Sequence, residues 1–497
     1  MNSGRRLTLV AWATLCVPLV WWTGQLIARG WIPHGDRGIV AVRVHDVFSR
    51  HTPLLGMPST AQVRLDGIDA SHPGALQFYL LAPLYHLTGE APWSLLVGSA
   101  LIIAGLFAVA IFAAYDAAKW AGAAAVVVSA GMLELVTQTS LVTPWNPWPA
   151  AAGVLAAVGA SWAILCDHQR WWPAFVVAAS LAAQSHLAVA PVMVVGGAVT
   201  LVAVGLRWRA GNLQPAPVPW AVAGALLAGC WVSPVVDQFT REPGNLTQLL
   251  KIAGSASLVG PAIALAAVLV VVLVVRRLSR TGVTLTSGRP DSIIALSVIG
   301  VGVVVWSALR VGWESSWYVP LAYSIVAVPV LSFWFAKRAA RWRPPVWKLA
   351  LVTVALVIVT GLTGVVGGGA DYVTISRQAV ASARSLVADV PLSEPIQIRT
   401  TGRLAWSDSG AAVYAAFLAD GRNVWYGDDL SLGREDDFRH PANLTGERVV
   451  LTLESTVEKP ATTGGDVIDI AQLDAGLPFG EPWLKVSIET SGGNPDD

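Results

Sequence analysis

The sequence predicts a mainly α-helical membrane protein: a polytopic bundle of about eleven spans, then a small α/β domain outside the bilayer. Three observations carry this. Apolar residues come in runs of about 20, the length that crosses ~30 Å of hydrocarbon. Charged residues make up 13% of the 497 residues, against roughly 25% in soluble chains. The basic clusters fall on every second loop, as the positive-inside rule requires.

The first span is LTLVAWATLCVPLVWWTGQLIA, behind Arg5 and Arg6, which hold the N-terminus in the cytoplasm. It reads as an uncleaved span rather than a signal peptide, because no small-x-small cleavage site follows. Further apolar segments run at 91–115, 121–138, 148–165, 173–187, 188–206, 220–239, 257–275, 292–309, 317–336 and 349–367. The stretch 174–208 fits either two short spans or one tilted helix plus a re-entrant piece. Lys119, Arg170, Arg207 with Arg209, the 276–280 cluster and the 337–348 cluster fall inside. The 34–90 loop, 241–251 and 310–317 fall outside. Tryptophans crowd the span ends, as an aromatic belt does.

From Asp371 the apolar runs shorten to strand length at 395–400, 423–427, 448–455 and 466–471. Residues 407–421 read as a helix with a Ser-Asp start, a Gly stop and an apolar face at Ala412, Tyr414, Ala415 and Leu418. The chain therefore divides into a membrane domain, 1–370, and an extracytoplasmic α/β domain, 371–497, whose last residues, ETSGGNPDD, read as frayed. Cys16, Cys166 and Cys230 do not form a disulfide framework. The net charge of +1 gives no general pull toward nucleic acid. The Ala, Val, Gly and Arg bias points to a GC-rich bacterial genome, and an actinobacterial plasma membrane is the guess it supports.

Chemistry is expected in the long first outer loop. GDRGIVAVRVHDVFSR (35–50) reads as a short helix with one broad apolar side, lying flat in the interface. Asp36 stands at its N-terminus, where the plainest reading is a helix cap facing the positive end of the dipole. The second reading is a reactive carboxylate. Asp46 follows ten residues on. HPGALQFYLLAPLYHLTG (72–89) is too short and too broken by Pro to span, and reads as a second flat helix. A polar linker, 57–71, joins the two.

The order is a short tail, one span, an acid immediately outside, a flat helix, PLLG (53–56), a His72-Pro73 step and a small aromatic helix. Over residues 1–210 this resembles the C-type (GT-C) glycosyltransferases, in particular the protein O-mannosyltransferases and aminoarabinose transferases. The resemblance implies a membrane enzyme that takes sugar from a polyprenyl-phosphate donor and passes it, with inversion, to an envelope glycan, lipid or protein. Asp36 matches the family's acidic motif and would be the catalytic base. Its neighbour is Arg37, so the acidic pair is incomplete and the motif does not support a divalent metal. His72 stands where a basic residue leads the second helix and would lie near the carrier phosphate, with its charge dependent on pH.

Other candidates surround the same face. In TQTSLVTPWNPWPA (137–150), Asn146 stands where the family often carries a second acid; it is either a sugar or phosphate ligand or a helix start. Glu134 lies deeper in the third span, and an acid inside a membrane is a functional candidate. Gln184 and His186 end the fifth segment, as site residues or as satisfied structural ones. Arg241, Lys251 and Arg310 are outside-facing cations suited to a lipid phosphate. Asp237 is spaced to pair with Arg241, and Arg310 with Glu314 equally fits an interface anchor. No nucleotide-binding Gly-loop, zinc spacing or Ser-His-Asp signature occurs. A transporter or flippase, or an inactive scaffold of envelope assembly, are the alternatives to a transferase.

Overall fold

The computed structural model describes residues 3–59, 69–187, 189–211, 213–214, 216–254, 371–426, 433–444, 446–473 and 478–491. The segments expected at 257–275, 292–309, 317–336 and 349–367 lie outside them.

Helix α1, Ser3–Ala28, is the first span. It is followed by two short helices, α2 (Asp36–Asp46) and α3 (Leu76–Leu87). Helix α4, Pro92–Thr137, breaks at Ala118 and Lys119, where Lys119 has a positive φ. Its halves match the expected segments 91–115 and 121–138. Helices α5 (Pro147–Leu165), α6 (Trp172–Ser185), α7 (Ala190–Arg209), α8 (Pro217–Thr240) and α9 (Asn245–Gly254) follow. The stretch 174–208 is thus two helices. Among the described residues, five helical segments are long and apolar enough to cross a membrane, the broken α4 counted as one.

Polar pairs fix one end of the bundle, where Asp116 binds Arg170, accepts from the Trp171 indole at 2.9 Å and lies 3.7 Å from Arg5. Arg207 pairs with Asp167 at the end of α5. Among the described residues, Arg5, Lys119, Arg170 and Arg207 therefore share one end. Small residues let α5 pack closely, and all 19 of its residues are buried.

The C-terminal unit pairs helices α10 (Tyr372–Leu386) and α11 (Gly410–Ala419) with a five-stranded sheet. Its strands are β1 (Ile396–Thr401), β2 (Val424–Tyr426), β3 (Arg448–Thr456), β4 (Gly465–Asp469) and β5 (Trp483–Ser491), ordered β2-β1-β3-β5-β4. β1 is parallel to β2 and β3, while β5 is antiparallel to β3 and β4. The four expected strands and the helix near 407–421 are present. The sequence reading missed α10 and β5, and residues 489–491, expected to fray, pair with β3.

Two cores result. One fills the helix bundle. The other runs without a break from Val40, Val42 and Val44 of α2 through Phe78 and Leu81 of α3 to Ile375, Tyr414, Ile398 and Leu451 of the C-terminal unit. The apolar side of α2, expected to face the interface, is covered by protein: Val40, Val42 and Val44 are fully buried between α3 and α11. That burial also explains why α11 is apolar around most of its girth. It must satisfy the sheet on one side and α2 on the other.

Candidate functional site

Helix α2 begins on a backbone that only the C-terminal unit completes. Gly35 takes φ +52, a left-handed conformation that glycine adopts without steric cost. Its N–H donates to the backbone carbonyl of Asp408 at 3.1 Å. The His34 ring nitrogen Nδ1 lies 2.8 Å from Asp408 Oδ1, and Ser376 Oγ donates to Oδ2 at 2.7 Å. The His34 carbonyl then accepts the N–H groups of Arg37 and Gly38 and so starts the helix. Gly38 lies against α11; a Cβ there would sit 2.8 Å from the backbone carbon of Ala411.

Asp36 is the first residue of α2, and its side chain makes no cap. The capping reading is therefore corrected: Gly35 holds the cap position, and the Asp36 carboxylate points away from the helix to Trp145. The Trp145 indole donates to Oδ2 at 2.8 Å, and Asp36 is exposed. Arg37 lies over the Trp145 ring at 4.8 Å and donates to Thr143 Oγ1 at 3.2 Å. A guanidinium thus occupies the ground beside Asp36 where a second acid would be needed. That donor set does not fit a divalent cation. Among the described residues no three His, Cys, Asp or Glu side chains gather as a metal site.

The segment 143–146 ties this carboxylate to the other candidates. Gln77 donates to the Pro144 carbonyl at 2.9 Å, and Asn146 donates to the Ser185 carbonyl at 2.9 Å. Gln184 accepts from the Leu76 N–H at 3.2 Å and donates to the Cys230 carbonyl at 2.6 Å. The rings of His72 and His186 lie 4.9 Å apart, and His72 Nδ1 accepts the Leu187 N–H at 2.9 Å. The sequence candidates His72, Asn146, Gln184 and His186 are thus brought together. All four are buried, and the two amides tie helix ends and backbone of α3, α6 and α8 together. Burial pushes the His72 pKa down to about 4, so the ring is neutral. The charge of His72, expected to depend on pH, is thus governed by its burial.

The remaining candidates separate. Asp46, at the far end of α2, lies about 15 Å along the helix from Asp36. It is buried, and Arg439 grips both its oxygens at 2.6 and 2.7 Å. Arg43 pairs with Asp436 at 2.7 Å beside it. Asp46 therefore joins α2 to the C-terminal unit and does not face Asp36. Arg241, expected as an outside-facing cation suited to a lipid phosphate, binds Glu435 and lies 3.2 Å from Asp237, the pairing that the spacing suggested. Lys251 is exposed near the end of α9. Glu134 is buried in α4. Arg310 and Glu314 lie outside the described residues. Sequence reasoning missed Trp145 as a partner, taking it for the aromatic belt, read Asp408 only as part of a helix start, and missed Arg439 entirely. Only the adjacency of Trp145 to Asn146 in the TPWNP motif hinted at the first.

The fold so assembled is shared with a solved structure. The particular likeness is to ArnT from Cupriavidus metallidurans bound to undecaprenyl phosphate, with a TM-score of 0.55 at 12% identity over 98% of each chain. ArnT from the same organism in the apo state matches with a TM-score of 0.38 at 12% identity, over 96% of this chain and 97% of that one. No family model and no curated protein matches the sequence. At this identity the likeness is one of fold.

Proposed function

We propose that the protein is a membrane glycosyltransferase that takes sugar from a polyprenyl-phosphate carrier, with Asp36 as its base. One observation carries the reading: an exposed carboxylate at the head of α2, fixed by an indole N–H and by a backbone locked from the C-terminal unit. The shared fold with a protein bound to undecaprenyl phosphate supports the carrier class. The acceptor hydroxyl gives its proton to Asp36, and its oxygen forms the new bond to the anomeric carbon. The bond from that carbon to phosphate breaks, and polyprenyl phosphate leaves with the electron pair. Attack opposite the leaving group inverts the centre. A base and cations for the leaving phosphate suffice for this. Lys251 and Arg310 remain the proposed cations. The Arg5, Arg170 and Arg207 end is the cytoplasmic one by the positive-inside rule, which puts Asp36, and the C-terminal unit with it, outside. The acceptor is an envelope glycan, lipid or protein.

The test is transfer from radiolabelled polyprenyl-phosphate mannose, arabinose and glucose into envelope fractions, with wild type against Asp36→Asn. Label incorporated by wild type alone is the expected result; equal incorporation by Asp36→Asn removes Asp36 as the base. The Arg37 side chain beside Asp36 favours a second reading, an inactive scaffold, and carrier binding without transfer from any donor would select it.

A further inference from the structure

We infer that Asp408, in the C-terminal unit, is a positioning residue for Asp36, acting through His34 and Gly35. The inference rests on the proposed role of Asp36 as the base.

Asp408 lies 374 positions from His34, yet it holds the two residues before Asp36 by separate contacts. Its Oδ1 meets His34 Nδ1 at 2.8 Å, and its backbone carbonyl takes the Gly35 N–H at 3.1 Å. Its other oxygen is fixed by Ser376 of α10 at 2.7 Å. Both side chains are buried, with His34 and Asp408 each 7% exposed. The His34 ring stacks on Tyr372 at 6.2 Å, so two further residues of the C-terminal unit hold the grip. The clasp sits in the short helical turn 405–409, directly before α11.

Its reach follows from the hydrogen bonds of the first turn. The His34 carbonyl accepts the N–H of Arg37 at 3.0 Å and of Gly38 at 3.2 Å. The direction in which α2 leaves, and hence where Asp36 points, is set by the orientation of that carbonyl. His34 in turn is oriented by Asp408. Two positioning systems then meet at one carboxylate: the membrane bundle supplies Trp145, and the C-terminal unit supplies the helix start. A general base must lie within about 3 Å of its proton, and a displacement of ~1 Å in a distant support can cost about 100-fold. A domain that only recognised acceptor would not need to grip the residues before Asp36.

Amide hydrogen exchange on the full chain in detergent reads the clasp without any substrate. In Asp408→Ala, amides 35–39 are expected to exchange at least tenfold faster, while those of β1, β3 and β5 stay at the wild-type rate. Unchanged exchange at 35–39 overturns the inference. So does loss of protection throughout the sheet, if Asp408→Asn, which keeps hydrogen-bonding capacity on both side-chain atoms, behaves the same way; Asp408 then merely holds the unit together. In the donor panel, Asp408→Ala is expected to lower kcat about 10- to 100-fold with KM for the carrier within threefold. Asp408→Asn should recover part of that loss. The double variant with Asp36→Asn should be no slower than Asp36→Asn alone. A wild-type kcat in Asp408→Ala beside an inactive Asp36→Asn overturns the positioning inference and leaves the base assignment standing. Near-normal transfer by Asp36→Asn sinks the base assignment instead.

Discussion

Helix α2 carries an aspartate at each end, and the two have opposite surroundings. Asp36 is exposed and bound by a neutral donor, the Trp145 indole. Asp46 is buried, and a guanidinium holds both its oxygens. A carboxylate whose oxygens are both taken by a buried cation has no capacity left to accept a proton from a substrate. One bonded to a single indole keeps a second oxygen for that purpose. The same residue type on one short helix thus serves two ends. The first half-turn meets substrate in the proposed reaction, and the last turn anchors the helix to the C-terminal unit. The stiff α-helix between them lets the anchor define the place of Asp36.

The sharpest break of this comparison is to neutralise each aspartate in turn. Asp36→Asn should lower transfer by at least about 100-fold, the range a positioned base contributes, with thermal unfolding close to wild type. Asp46→Ala should behave in the reverse manner. It leaves Arg439, and Arg43 close by, with less negative charge in a buried site, and removing one partner of such a pair costs about 3–5 kcal/mol. A lower unfolding midpoint in detergent, read by intrinsic fluorescence, checks it. An Asp46→Ala protein as stable as wild type would mean the ion pair is no anchor.

Much of this arrangement was legible in the sequence, and the reasons for the gaps are physical. Local patterning marked α2, α3, both halves of α4 and four strands, because apolar periodicity is written in neighbouring residues. It placed Asp36 at the start of α2 but gave its carboxylate the wrong partner. A cap is the default for an acid before a helix, and the choice of Trp145 instead depends on a loop 109 residues away. Asp46, Arg241 and His72 read as candidate ligands for the same reason. Their partners, Arg439, Glu435 and the Leu187 N–H, come from distant segments, and pairing across such separations leaves no local signature. The shared core of α2, α3 and the C-terminal unit crosses the boundary that composition sets at residue 370.

A smaller change sharpens the comparison at the middle of the helix. Gly38→Ala adds one methyl 2.8 Å from the Ala411 backbone, where neither helix can yield by a side-chain rotation. Overpacking of that kind costs about 1–3 kcal/mol. The strain should be relieved by tilting α2 away from α11. Transfer is then expected to fall more than stability does, because Asp36 moves with the helix. Parallel measurement of kcat and unfolding midpoint separates the two effects; equal losses would show that the helix start is not a lever.

A last effect is a pH dependence at the anchored end. Burial raises the Asp436 pKa from 3.8 to about 6, against the opposing pull of Arg43 and Arg439 and with Asp46 and Glu435 adding to the rise. Tyr414 faces the same cluster from α11 and is itself held well above its usual range by burial. The sign follows from proton counting. Below pH ~3.8 both folded and unfolded chains carry the proton on Asp436. Between there and about 6 the folded chain keeps it and the unfolded chain does not, so this group's contribution to stability falls as pH rises. Above that window it is constant. The difference in unfolding midpoint between wild type and Asp436→Asn should therefore change between pH 4 and 6 and be flat above 7. A difference that changes instead between pH 7 and 9 would mean that the anchored end titrates through another group.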